Sequence, residues 1–362
     1  YLVWWKRFRM MQQRLNAKIE GGARNPSGTG EGTPWRSQSK AAAAPVVGVG
    51  NCAKADRSLH VAFWNQLRSL KAAEHAEAFF KALQPRWKLI GVAGAWNWRR
   101  TGIYSHAGTG FVCLWSQGAV SDNGHSVGVG LFVRNPAISS VVDWKAISGR
   151  LMWVRFACAR KRSVTVVVAY APTRKGGEDT TQRIQFFREL AQVLNSLPPG
   201  DFVVVVGDFN SQTGHDRDGW SGGVVGRFGE QTTVRAPSQT QLVKACLEAD
   251  MVVANTFFQH GSYATWSAPH HKRVAPTKKC LDYALVRRHQ LASVADVKVC
   301  TGARWEELSD HGPIEVRLRL KVKLQVKDRA ERPGRYDFSV LQGPKEEADE
   351  VKSFYAAETK RH

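Results

Sequence analysis

The chain has 362 residues, 43% of them apolar and 23% charged, which is enough apolar content for one large domain or two ordinary ones and too much for a disordered chain. Lysine and arginine outnumber aspartate and glutamate by 52 to 31, and the resulting net charge of +21 points to a polyanionic partner, nucleic acid first. No apolar run approaches the ~20 residues that span a bilayer, and Tyr1-Leu2-Val3-Trp4-Trp5 is too short, with too basic a sequel, for a signal peptide, so a membrane partner is excluded from the reading.

The basic excess is spread along the chain. Residues 1–58 carry 10 basic and 3 acidic side chains, 323–362 carry 9 and 8, and the stretch between is left at +13. The first residue is Tyr1, so a piece of something longer is expected. Residues 6–20 have the pattern of a short basic helix. The Gly, Ser, Pro and Thr-rich run that follows to about residue 38 reads as a linker, and 1–58 is expected to be a mostly disordered arm.

From His60 onward strands and helices alternate. Val61–Asn65 reads as a strand, Arg68–Leu83 as a helix and Lys88–Ala93 as a strand. Strands follow at Val127–Arg134, Leu151–Cys158 and Val164–Ala171, then a helix over Thr180–Leu197 and a strand at Val203–Asp208. A Gly-rich loop over 214–230 leads to a helix near 239–249 and to strands at Leu281–Val286, Ala295–Val299 and Ile314–Val322. This order predicts an α/β (α+β) sandwich of four layers, two packed mixed sheets flanked by helices. The domain is expected over 59–322. Beyond it, 323–362 reads as a mixed-charge linker with a possible helix from Lys345. The six cysteines show no Cys-x-x-Cys pair or zinc spacing, and are expected to be reduced core residues of an intracellular protein.

Two segments carry chemistry. Val203–Val206 runs into Gly207-Asp208-Phe209-Asn210, which puts an acid and an amide at a strand end. There Asp208 could orient a water and take its proton while Asn210 donates to a phosphate oxygen, although Asp and Asn are also ordinary turn residues. Ser309-Asp310-His311-Gly312-Pro313 sets another acid beside a histidine. If the strand starting at Leu281-Asp282-Tyr283 folds beside it, Asp282 would fix the tautomer of His311 and favour its protonation. Asp310 is a hard oxygen ligand of the kind Mg²⁺ takes one or two of. A solvent-exposed loop without a role is the plain alternative for that segment.

With those residues in view, the sequence resembles the endonuclease/exonuclease/phosphatase superfamily, nearest to the endonuclease domains of non-LTR (LINE-type) retrotransposons. The resemblance rests on Phe63-Trp64-Asn65, Gly128-Val129-Gly130, Tyr170-Ala171-Pro172-Thr173, Gly207-Asp208-Phe209-Asn210, Ala264-Thr265-Trp266, Leu281-Asp282-Tyr283 and Ser309-Asp310-His311-Gly312-Pro313, in order across 59–322. Arg332–Leu341 looks like the segment that leads from such domains to a reverse transcriptase. The resemblance implies a DNase I-like fold and a nuclear, DNA-nicking enzyme that uses Mg²⁺, or Mn²⁺ in its place. It implies that Asp208 activates water, that Asn210 and Asn65 position the water or the phosphate, that Tyr170 contacts the phosphate or tunes the nucleophile, that Asp282 and His311 form a charge-stabilising pair, and that Asp310 serves the metal. Trp266 is assigned to packing.

One residue departs from the pattern. Where the family carries a metal-binding Glu at the end of its second strand, this chain has Gly94, and no Asp or Glu occurs between Glu77 and Asp122. Three readings follow: an active endonuclease, a catalytically inactive descendant that binds nucleic acid, and a phosphatase of small phosphate esters, the last at odds with the charge.

Overall fold

The computed structural model describes residues 58–320, apart from 67–72, 95–99, 107–108, 121–125, 159–161, 174–180, 231–236, 269–276, 303–304 and 306. The expected arm, the linker and both terminal helices lie outside the described residues. The strands are β1 (Leu59–Asn65), β2 (Leu89–Gly94), β3 (Gly102–His106), β4 (Phe111–Val120), β5 (Ser126–Arg134), β6 (Val141–Ser148), β7 (Leu151–Ala157), β8 (Ser163–Tyr170), β9 (Phe202–Asp208), β10 (Met251–Val253), β11 (Trp266–Ser267), β12 (Lys278–Lys279), β13 (Asp282–Arg287), β14 (Val294–Val299) and β15 (Ile314–Leu318). Three α-helices are described: α1 (Ala73–Ala82), α2 (Thr181–Ser196) and α3 (Pro237–Glu248).

The strands form a seven-stranded sheet in the order β14-β15-β1-β2-β5-β4-β3, a six-stranded sheet in the order β10-β13-β9-β8-β7-β6, and the small β11-β12 hairpin. Each large sheet holds one parallel pair, β1 with β2 and β8 with β9, among antiparallel neighbours. The fold is thus two packed mixed sheets with helices, a DNase I-like sandwich.

β9 shows why the layers form. Its valines are all fully buried, Val204 and Val206 between the sheets and Val203 and Val205 against the helix layer. A continuous valine run suits a strand covered on both faces, and each such side chain contributes about 1.5 kcal/mol or more. Phe186, Phe187 and Leu190 of α2 and Leu242 and Cys246 of α3 supply the cover. Behind the seven-stranded sheet, Trp64, Phe79, Trp87, Phe132 and Trp305 make an aromatic layer, with Trp64 edge-on to Trp305 at 5.0 Å.

This topology carries several strand ends to one rim. β1, β2, β8 and β9 end there, while β13 and β15, antiparallel to their neighbours, begin there. The expected β-strand at 314–322 is shorter, ending at Leu318. Strands β3, β4, β6, β10, β11 and β12 are additions to the sequence reading. Cys113, Cys158, Cys246 and Cys280 are buried free thiols, and Cys300 is partly buried.

Candidate active site at the sheet rim

Asp208 closes β9 and Asp282 opens β13, directly opposite each other in the antiparallel register. Tyr170 closes β8 opposite Asp208 on the other side. Asn65 closes β1 of the facing sheet, and its Nδ2 donates to Asp208 Oδ2 at 2.8 Å, which ties the two sheets together at the rim. His311 enters just before β15. Its Nδ1 lies 2.8 Å from Asp282 Oδ2, and its Nε2 lies 4.0 Å from Asp208 Oδ2. All of Asn65, Asp208, Asp282 and His311 are buried.

Asn210 adds a second clamp. Its backbone N–H donates to Asp208 Oδ1 at 2.8 Å, and its side-chain Nδ2 donates to the Ala171 carbonyl at 2.8 Å. The residue sits at φ 48°, a left-handed conformation that an Asn side chain tolerates better than most. The loop is held from beneath by Arg183 of α2, which is fully buried. Arg183 donates to the carbonyls of Pro172, Phe209 (3.0 Å) and Asn210 (3.1 Å) and to Ser211 Oγ (2.6 Å). The sequence reading missed Arg183, because an arginine on the buried face of a helix looks like a surface residue until its acceptors are known.

The electrostatics follow from this packing. Burial, and then the Asp282 carboxylate, push Asp208 up to about 7, against the pull of His311, the Asn210 N–H and Asn65. For His311 burial works against the cation, but Asp282, Asp208 and Asp310 outweigh it and raise the imidazole to about 9. Tyr170 is pushed up to about 12 by burial and by Asp208, so its phenol stays a hydrogen-bond donor. Near neutral pH the cluster therefore holds a charged imidazolium, paired through Nδ1–H, beside a carboxylate poised at the edge of ionisation.

Asp310, next to His311 in the chain, meets β11 instead. Trp266 Nε1 donates to its Oδ2 at 2.8 Å, and the backbone of Ser267 donates to its carbonyl at 2.9 Å. The assignment of Trp266 to packing is therefore corrected: its indole orients Asp310, and Lys279 Nζ stands 5.6 Å from the ring centroid. Asp310 Oδ1 is buried and, among the described residues, accepts no hydrogen bond. A buried anionic oxygen without a donor is costly unless a cation meets it, so this residue fits a divalent metal. Gly94, at the end of β2, is buried and offers no ligand. Asp208, Asp282 and His311 also stand close enough together to chelate an ion. A metal there would have to displace the proton that joins His311 to Asp282, which makes this cluster a poorer metal site than Asp310.

With fold and rim in place, the relationships are clear. The model of the endonuclease/exonuclease/phosphatase family matches residues 64–311, and the chain belongs to that family. It is 28% identical over 199 residues to craniofacial development protein 2 of Bos taurus, covering 54% of this chain and 31% of that protein. The chain thus spans about a third of the length of the curated relatives it matches. Among solved structures it is similar to the AP endonuclease LMAP from Leishmania major, at a TM-score of 0.53 and 15% identity over 73% of this chain and 88% of that one. It is also similar to the catalytic domain of Xenopus laevis APE2, at a TM-score of 0.52 and 15% identity over 72% and 92%. At such identities the likeness of the structures speaks for the fold alone.

Proposed function

We propose that the protein is a divalent-metal-dependent phosphodiesterase that nicks DNA, the endonuclease of a non-LTR retroelement whose 3′ hydroxyl product primes reverse transcription. The observation that carries this reading is the Asp208–Asp282–His311 cluster, a base near neutrality and a held cation within 4.0 Å of it. Asp208 takes the proton of the attacking water, and Asn65 and the Asn210 N–H fix the carboxylate that does so. His311, kept cationic by Asp282, faces the charge that develops on the phosphoryl oxygens. Tyr170, at the end of β8 opposite Asp208, keeps its phenol proton for such a contact. Asp310, oriented by Trp266, would hold Mg²⁺ or Mn²⁺, which supplies positive charge against the phosphoryl oxygens when bound. The +13 charge of residues 59–322 favours a polyanionic substrate over a small phosphate ester. A chromosomal target would place the enzyme in the nucleus, and a longer chain would join it to a reverse transcriptase.

A second reading, an inactive descendant that still binds nucleic acid, is favoured by Gly94, which leaves the metal site one anionic ligand short. The test is nicking of supercoiled plasmid by the full chain with Mg²⁺, beside Asp208→Ala and a chelated control. Nicking that vanishes in both controls supports the endonuclease. Binding without nicking at any Mg²⁺ or Mn²⁺ concentration moves the second reading ahead.

A further inference from the structure

The outer face of the seven-stranded sheet, where β1, β15 and β14 lie side by side, holds a polar cavity that none of the roles above uses. Val61, Val316 and Val297 pack between the two sheets, so by strand alternation His60, Glu315, Arg317, Asp296 and Lys298 point the other way. Together with Arg86 they line a cavity of about 290 Å³, room for about ten waters. It stands apart from the catalytic rim. Arg317 pairs with His60 in the register of β1 and β15, and His60 lies five residues before Asn65, roughly 16 Å along the strand.

The register sets up two cross-strand ion pairs here, and the structure makes neither. Lys298 lies directly opposite Glu315, and Asp296 opposite Arg317, the arrangement in which opposite charges meet across a pair of strands. Both acids are drawn off by other partners. Glu315 turns to Arg86 and His60 at 2.5 to 2.7 Å, and Asp296 turns to His260 Nε2 at 2.9 Å. Among the described residues Lys298 and Arg317 therefore hold no carboxylate, whereas Arg155 and Arg288 elsewhere in the fold each do. As diagonal neighbours on adjacent strands, roughly 7–8 Å apart, the two cations repel each other unless an anion joins them. A phosphate group suits the space between them, because it accepts charge-assisted hydrogen bonds from a guanidinium and an ammonium at once.

We propose that this cavity is a second, non-catalytic site, in which Lys298 and Arg317 grip a phosphodiester of a nucleic-acid strand lying over the outer face of the sheet. The +13 charge of residues 59–322 favours a polyanion over a free phosphate ester, and Arg317 is exposed, within reach of a strand that passes the mouth of the cavity. The site asks nothing of the Asp208 cluster or of a metal, so it stands whether or not the rim cleaves.

The test is equilibrium binding of a fluorescein-labelled DNA duplex to the full chain in EDTA, by fluorescence anisotropy across a series of KCl concentrations. Lys298→Gln combined with Arg317→Gln should weaken binding roughly 10-fold and lower the slope of log affinity against log salt by about 0.9, the share of one neutralised phosphate. Lys298→Arg combined with Arg317→Lys keeps both charges and should keep the wild-type slope. Lys145→Gln combined with Lys244→Gln removes two exposed charges elsewhere and gives the loss due to net charge alone. An equal loss of slope in that control overturns the proposal, as does a wild-type slope when Lys298 and Arg317 are both Gln. ATP, titrated as a competitor, separates the two sources of phosphate: a double variant that loses ATP binding but keeps its DNA slope marks a nucleotide site, and the nucleic-acid assignment falls. Loss of slope in a chain that nicks no plasmid removes the endonuclease reading and leaves this site standing.

Discussion

Two regions of the same sheets treat buried charge in opposite ways. At the start of β1 and in β15, Glu315 accepts from Arg86 Nε and Nη2 at 2.5 and 2.7 Å and from His60 Nδ1 at 2.7 Å. Just before β9, Asp201 accepts from Arg155 at 2.7 and 2.8 Å and from Thr165 Oγ1 at 2.7 Å. Roughly 20 Å along β9 from Asp201, Asp208 and Asp282 face each other with one imidazolium between two carboxylates, and among the described residues Asp282 Oδ1 accepts no hydrogen bond. Burial would raise Glu315, but Arg86 and His60 outweigh it and hold the carboxyl at about 2, while Asp208 is pushed up to about 7. One region gives each carboxylate its own guanidinium, and the other leaves two carboxylates to share one imidazolium, which chemistry can use.

The largest effect should come from breaking the unsettled region. Asp208→Ala is expected to lower the nicking rate about 10²- to 10⁴-fold, read on supercoiled plasmid. The wild-type kcat/KM should follow a bell in pH, rising as Asp208 ionises near 7 and falling as the imidazolium is lost near 9. His311→Ala should lose the alkaline limb. The stability signs also separate the two regions. Asp208 keeps its proton in the folded state while the unfolded chain releases it at 3.8, so its contribution falls as pH rises from 3.8 to 7. His311 adds stability fully present below 6.5 and lost as pH rises through 9. Glu315 adds stability present above 4.5 and lost as pH falls through about 2. Asp208→Asn should therefore raise Tm at pH 8 even as it abolishes nicking, and an unchanged or lower Tm would count against the raised carboxyl.

Breaking the settled region should do the reverse. Arg86→Met leaves the buried Glu315 with His60 alone and should cost on the order of 2 kcal/mol, since the half-exposed Arg86 is screened on its outer side. Urea unfolding measures this. The metal half-saturation of nicking should not move, because the Glu315 carboxylate bonds to Arg86 and His60 and to none of the described rim side chains.

A smaller change sharpens the contrast within the rim. Trp266→Phe removes the indole N–H from Asp310 Oδ2 and keeps the ring beside Lys279. The Mg²⁺ concentration for half-maximal nicking should rise roughly 10- to 100-fold while the pH profile stays put. A shift in the pH limbs instead would mean that Trp266 acts through His311.

The sequence was legible where chemistry and periodicity coincide. The valine run of β9 and its Asp-x-Asn end could be read directly, and so could the Asp-His pair before β15. The four-layer sandwich followed from the alternation of elements. Strand β6 was lost because it is half exposed, with burial that does not alternate cleanly. Strand β10 has only three residues, too few to carry a period. The buried anchor Arg183 and the Asp310 partner Trp266 were missed for one physical reason. Each works through partners far away in the chain, as with Trp266 and Asp310, and neither residue type nor local spacing reveals such partners. The settled region was invisible for the same reason, since Glu315 meets Arg86 only after folding.

The last prediction concerns the position where the rim lacks a ligand. Gly94 lies at φ 135°, in a region where side chains are rarely found, paired with Gly128 at the edge of β2 and β5. Gly94→Glu supplies the absent carboxylate but should cost about 1–3 kcal/mol in backbone strain, and Gly94→Ala should cost a similar amount without adding a ligand. The difference between the two isolates the carboxylate. If Gly94→Glu lowers the Mg²⁺ requirement relative to Gly94→Ala, the site has kept its shape around a lost ligand. Should both variants lose stability alike and need the same Mg²⁺, the end of β2 has settled into a backbone that no longer points a side chain at the metal, and Asp310 must hold the ion without help from β2.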